Sequence, residues 1–341
     1  MKRLLATLLV GSLLLGSGLS LAQEEALFTL VSEDPVIRHS DQDGDWDDRF
    51  TDPGAVFYHE GQFHMFRNGF QNWPDSVQIG YLTSADGITW VEQSPDPVLT
   101  TAKVPYAGLA ALASSATVLP DGTWVLYFYT WENRSRTARN FIGRATALNP
   151  LGPWTVDSEP LLSPGAEGAW DDLGVLGPRI IQQDATWYMY YSAANSRQRA
   201  FAGIGLATSA DGITWVKYND PATTSDGFAE SDPVLQAESE RSFVHQPSVQ
   251  PTADGWVLFY RTAPIGQGDS AMSIRYATST DGIQWERGTA PIWQPRTIPG
   301  ISGFWWTASA RRDDTYYLYV EGGSMGGTNI YAGTFSGSFT P

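Results

Sequence analysis

One phrase returns four times along this chain and constrains the fold more than any other feature. It reads IGYLTSADGITW ending at Trp90, IGRATALNPLGPW at Trp154, IGLATSADGITW at Trp215 and IRYATSTDGIQW at Trp285. A second phrase lies upstream of each copy: AVFYHEGQFHMFRNG from Ala55, ATVLPDGTWVLYFYTW from Ala116, RIIQQDATWYMYYSA from Arg179 and SVQPTADGWVLFYRTA from Ser248. A fifth copy, SARRDDTYYLYVEGG from Ser309, is followed by NIYAGTFSG. A repeat of this length is one supersecondary unit that buries its faces only against neighbours.

Each unit reads as four short strands. A first run such as Gly54 to Tyr58 meets a polar turn (Glu60-Gly61, Asp121-Gly122, Asp254-Gly255), and alternating aromatic and aliphatic residues then form a second strand. The recurring phrase supplies the third strand, and its Asp-Gly turn leads into a fourth opened by Trp. No segment after the N-terminal region has a helical period. Five such units predict an all-β, five-bladed β-propeller with four antiparallel strands per blade. The last copy lacks a Trp-bearing fourth strand, so Leu27 to Val31 is expected to supply it and close the ring from both chain ends.

The first 22 residues read as an export signal. Lys2 and Arg3 are followed by an apolar run from Leu4 to Leu15 and by Ser20-Leu21-Ala22, a small-x-small cleavage site. Cleavage after Ala22 would leave residues 23–341 as one secreted or periplasmic domain with no second apolar run of membrane-spanning length. The absence of Cys excludes disulfides, thiolate metal sites and a lipoprotein anchor. The net charge of −16 argues against binding to a phosphate backbone and favours a neutral ligand. No metal motif or cofactor motif is visible, and a monomer is expected.

The phrase Thr51-Asp52-Pro53-Gly54-Ala55-Val56-Phe57-Tyr58, with Gly61 to Phe66 after it, resembles the first-blade signature of the five-bladed glycoside hydrolases. These include the invertase/levansucrase enzymes and the arabinanase/xylosidase enzymes, families 32, 68 and 43. The resemblance implies a carbohydrate-active enzyme in which Asp52, at the propeller axis, is nucleophile or general base. The chain departs from these families elsewhere. Where the arabinanase-like group has an Asp in blade two, it has Ser114-Ser115-Ala116-Thr117. Where that group has a Glu in a Glu-Gly-Pro phrase of blade three, it reads Leu176-Gly177-Pro178-Arg179. The invertase-like Arg-Asp-Pro and Glu-Cys phrases are absent. Phe243 to Ser248 loosely resembles the region of the axial His in the arabinanase-like group. The chain thus resembles a divergent branch.

Glycoside hydrolysis needs two carboxyl groups flanking the scissile bond, one ionised and one protonated. Blade topology puts Asp47, Asp48, Glu132, Glu167, Asp171, Asp172, Glu230, Asp232 and Glu321 on the face that Asp52 enters, and Asp172, Glu132 and Glu321 are the preferred partners. The paired Trp46-Asp47-Asp48 and Trp170-Asp171-Asp172 can equally be structural turn caps, and Glu132 or Glu321 a solvated loop residue. Arg179 and His245 open inner strands near the axis, where they would keep Asp52 ionised, bind an acidic sugar or form a structural ion pair. Trp73, Trp131, Trp170, Trp305 and Trp306 are expected in loops on this face as stacking platforms for sugar rings, with core packing as the alternative. Two further readings stay open. One is a carbohydrate-binding propeller that has lost its general acid. The other follows the resemblance of Ser-Ala-Asp-Gly-Ile-Thr-Trp to the sialidase Asp-box, which has one more residue between Asp and Gly and marks a turn.

Overall fold

The structure, a computed structural model, describes residues 27–74, 77–135, 138–197, 200–239, 241–267, 271–324 and 326–339. The export signal expected over residues 1–22 lies outside them. The expected propeller is present. Blade one comprises β2 (Phe50–His59), β3 (Gln62–Phe70), β4 (Gln78–Ser84) and β5 (Val91–Glu92), with β6 (Leu99–Thr100) also on β4. Blade two comprises β7 (Ala110–Val118), β8 (Trp124–Trp131), β9 (Ile142–Ala147) and β10 (Thr155–Val156). Blade three comprises β11 (Gly174–Gln183), β12 (Thr186–Asn195), β13 (Ala200–Ser209) and β14 (Val216–Lys217), with β15 (Pro233–Gln236) also on β13. Blade four comprises β16 (Ser242–Pro251), β17 (Trp256–Pro264), β18 (Ser273–Ser279) and β19 (Glu286–Arg287).

Blade five comprises β20 (Gly303–Arg312), β21 (Thr315–Ser324) and β22 (Gly327–Ser336), and β1 (Thr29–Leu30) completes it as the outer strand. Thr29 pairs with Thr334 and Leu30 with Gly333, so the two ends of the described chain close the ring as expected. Among the described residues, no helix is long and apolar enough to cross a membrane.

Five apolar clusters lie chiefly between adjacent blades, for example Phe66, Tyr81, Leu126 and Phe128 between blades one and two. The recurring Asp-Gly turn builds the joints between them. Asp86, Asp211 and Asp281 each accept two following backbone N–H groups, which fixes the turn. A tyrosine of another blade then donates to the adjoining glycine carbonyl: Tyr319 to Gly87, Tyr127 to Gly212 and Tyr190 to Gly282. The repeated Trp residues pack across the same joints, Trp90 on Tyr319 and Trp285 on Tyr190. These motifs hold blades together and lie outside the cavity described below.

A second set of bonds runs around the ring near the axis. Each inner strand carries a register irregularity: between Asp52 and Ala55, Ala113 and Ser115, Leu176 and Arg179, His245 and Ser248, and Phe304 and Thr307. At or beside these bulges a side chain of one blade accepts a backbone N–H of the next. Asn68 Oδ1 takes Ala113, Ser115 Oγ takes Ile180, Ser192 Oγ takes Gln246, Ser248 Oγ takes Ser309, and Thr328 Oγ1 takes Thr51. Backbone donors freed by the bulges are satisfied across the joints, so the ring is locked where a site would need rigidity.

Candidate active site

The bulge of β2 aims Asp52 at the axis. Gly54 sits in the left-handed region at φ +48°, and a Cβ there would lie 2.1 Å from the Phe66 carbonyl oxygen, so only glycine fits at this position. Gly54 N–H and Asn68 Nδ2 both donate to Asp52 Oδ1 at 2.8 Å. Asp52 is 2% exposed. Burial raises its carboxyl pKa from 3.8 to about 7, against the lowering effects of Asn68, Gly54 and the Arg179 charge.

Asp52 opens into a cavity of about 400 Å³. Glu321, on β21, lines the same cavity and is 5% exposed. Its Oε1 accepts from Thr328 Oγ1 at 2.8 Å, and that same hydroxyl oxygen accepts Thr51 N–H at 3.3 Å. One threonine therefore ties the second carboxylate to the residue preceding Asp52. Tyr129 lines the cavity and is fully buried; its hydroxyl pKa is pushed well above 10 by burial and then by the charges of Asp52 and Glu321. It remains a neutral phenol. Its ring stacks on Trp306 at 5.1 Å.

The opposite wall comes from blades three and four. His245 faces Arg261 across β16 and β17, and both line the cavity with Gln246 and Ser192. Burial first, and the Arg261 charge second, hold His245 well below its ordinary pKa, so it is a neutral imidazole. Arg261 Nη1 donates to Gln246 Oε1 at 3.0 Å. Gln246 has φ +55°, an uncommon backbone conformation for a non-glycine residue, and its N–H is held by Ser192 Oγ at 2.7 Å. The wall thus presents preset polar groups to whatever enters.

Of the residues singled out by sequence, Asp52, Glu321, Trp73, Trp131, His245, Trp305 and Trp306 line this one cavity. Four others do not. Asp172 accepts from Ser196 and from Gly168 N–H, capping its own loop, and Asp48 accepts Gly44 N–H in the same way. Glu132 accepts Arg139 N–H at 2.8 Å in an exposed loop. Trp170 is buried and donates to Ser231 Oγ at 3.0 Å, while Asp171 pairs with Lys217 as Asp47 does with Arg67. The two Trp-Asp-Asp segments are repeated docking devices. Trp305 and Trp306, at the bulge of β20, and Trp131, at the end of β8, belong to strands rather than to loops.

Arg179 takes a place that differs from a substrate contact. Its guanidinium donates to backbone carbonyls of the four other blades: Gly54 at 3.1 Å, Thr307 at 2.8 Å, Pro247 at 3.3 Å, and Ser114. It is a cationic hub on the axis beneath the site, and its charge lowers the Asp52 pKa. Sequence reasoning did not single out Phe50, Phe70, Tyr129, Ser192, Gln246 or Arg261. The signal was present in register: Asn68, Ser192 and Arg261 occupy the same position opposite the bulge in blades one, three and four. Among the described residues no group of three or more His, Asp or Glu side chains has a metal-binding arrangement.

Comparisons with known proteins agree with this architecture. Residues 47–234 match the model of the glycosyl hydrolases family 32 N-terminal domain. Beta-fructofuranosidase 1 of Zea mays is 31% identical over 183 residues, which are 50% of this chain and 26% of that enzyme. An uncharacterized protein of Mycobacterium tuberculosis is 27% identical over 185 residues, 51% of this chain and 58% of that protein. The chain thus spans well under two thirds of either relative. A solved structure described as a glycoside hydrolase superposes with a TM-score of 0.68 over 93% of this chain and 96% of its own, at 14% identity.

Proposed function

Because the chain belongs to the family defined by the glycosyl hydrolase family 32 N-terminal domain, we propose that it is an exported enzyme that hydrolyses glycosidic bonds in the Asp52 cavity. The observation that carries this reading is the presence of two buried carboxyl groups, Asp52 and Glu321, in one aromatic-walled cavity. Hydrolysis of an acetal needs one group that donates a proton to the leaving oxygen and one that attacks or activates water. Asp52, rigidly held at the axis, is assigned the base or nucleophile role. Glu321 is assigned the acid role, for which Thr328 fixes its orientation. Arg261 and Gln246 are placed to bond sugar hydroxyls, and the Tyr129–Trp306 stack offers a face for the sugar C–H groups. The basic, apolar and small-residue stretch over residues 1–22 supports export.

A binding propeller is the second reading. Its support is that Leu176, on the inner strand of blade three at the register of Asp52, and Leu112 on that of blade two present no carboxyl to the cavity. Leaving-group dependence separates the two. Glu321→Gln is expected to lower kcat/KM on methyl glycosides by on the order of 10²- to 10⁴-fold, and far less on p-nitrophenyl glycosides, which depart without protonation. Equal losses on both would remove Glu321 from the acid role. Absence of sugar release by the unmodified protein would favour the binding reading.

A further inference from the structure

The cavity has two chemically distinct ends. Its polar end holds Asp52, Glu321, Gln246 and Arg261. From the same strand as Asp52 an aromatic wall climbs to the rim. Phe50 lies two residues before Asp52 on β2, so alternation puts both on one face of that strand. Phe50 is paired across the ladder with Phe70 and stacks on it at 5.1 Å and 13°. Phe70 meets Trp73 at 5.6 Å, and Trp73 meets Trp131 of blade two at 5.2 Å. Trp73 is 44% exposed, which leaves the outer end of this aromatic run open to a ligand.

Such a wall suits one kind of occupant. A second sugar could lay its C–H face on these rings, but Phe50, Phe70, Trp73 and Trp131 give its hydroxyl groups only the two indole N–H groups as side-chain hydrogen-bonding partners. An apolar group gains from the same surface by burial and ring contact. A glycoside whose sugar sits among Asp52, Glu321 and Arg261 directs its leaving group outward along this wall. We propose that the preferred substrates carry an aromatic or otherwise apolar aglycone, seated on Phe50, Phe70, Trp73 and Trp131, rather than a second sugar. This inference rests on the glycosidase reading above and names its substrate class.

The test compares benzyl with methyl glycosides, whose leaving alcohols have nearly equal acidity, so that chemistry does not favour either. The pair is made as β-D-fructofuranosides, α-L-arabinofuranosides, β-D-xylosides and β-D-mannosides. In whichever series the protein hydrolyses, kcat/KM for the benzyl compound is expected to exceed that for the methyl compound by on the order of tenfold or more. Trp73→Ala is expected to bring the ratio towards one. A wild-type ratio near one overturns the aglycone proposal and leaves the glycosidase reading standing. If no series is hydrolysed, that reading fails instead. The same ratio is then read as Kd by calorimetry with the same glycosides on Asp52→Asn. Tighter binding of the benzyl compounds there supports the apolar subsite, and equal binding overturns it.

Discussion

Asp52→Asn is expected to abolish hydrolysis while making the folded protein more stable in alkaline solution. The Asp52 carboxyl pKa rises from 3.8 to about 7 on folding, chiefly because it is buried. The folded chain therefore binds this proton more tightly than the unfolded chain. That contribution to stability is complete below about pH 4 and is lost as pH rises through about 7. Above neutrality the native state holds a buried carboxylate at a cost on the order of 4 kcal/mol. Asparagine keeps an oxygen that accepts from Gly54 N–H and Asn68 Nδ2, and it carries no charge at any pH. Thermal unfolding at pH 8 should therefore show a melting temperature several degrees higher in the variant, with the difference vanishing near pH 4. Activity should fall by on the order of 10³-fold or more. In the unmodified protein, kcat/KM should rise tenfold per unit on the acid side of about pH 7, as the Asp52 base ionises. A variant equally stable at both pH values would contradict the burial account.

Arg179→Met is expected to be among the most destabilising single changes. The side chain reaches the axis from blade three and donates to Gly54, Ser114, Pro247 and Thr307, one carbonyl from each other blade. Methionine fills much of the volume and donates nothing, leaving buried acceptors without their cationic partner. The expected loss is about 3 to 5 kcal/mol, read from urea unfolding at pH 5, where Asp52 is protonated and its charge interaction with Arg179 does not enter. Surviving folded protein should also show its acid limb moved to higher pH, because a charge that lowers the Asp52 pKa is gone. Stability within about 0.5 kcal/mol of the unmodified protein would show that the hub is dispensable.

The propeller was readable because its blades repeat both a strand period and a turn chemistry. The Asp-Gly turns that mark the repeat in sequence are the same groups that cap the turns and bond to tyrosines across the joints. Asp52 was readable for a local reason, since Asp-Pro-Gly encodes a left-handed bulge that only glycine fits. Glu321 followed from blade topology, because a residue at the end of a second strand reaches the same face as the start of an inner strand. Asp172 and Glu132 met that criterion too, yet Asp172 is held by Gly168 and Ser196 and Glu132 by Arg139. Strand topology fixes the face on which a loop emerges but not the direction its side chains take. Arg179 lies at the axis but turns towards backbone instead of cavity, because carbonyls at the bulges of the four other blades form an acceptor set with no signature in the sequence. Arg261 was hidden among the core-like residues of a second strand, and its role emerges only from its register opposite His245.

The account stands on two carboxyl groups acting together in one cavity. The most direct test is sugar release from the benzyl glycoside panel by the unmodified protein, by Asp52→Asn and by Glu321→Gln, with binding of the same compounds measured by calorimetry. The account predicts release by the unmodified protein, losses of at least about 10²-fold in each variant, and retained binding in both. Saturable binding by all three proteins with sugar released by none would contradict it and leave a carbohydrate-binding propeller.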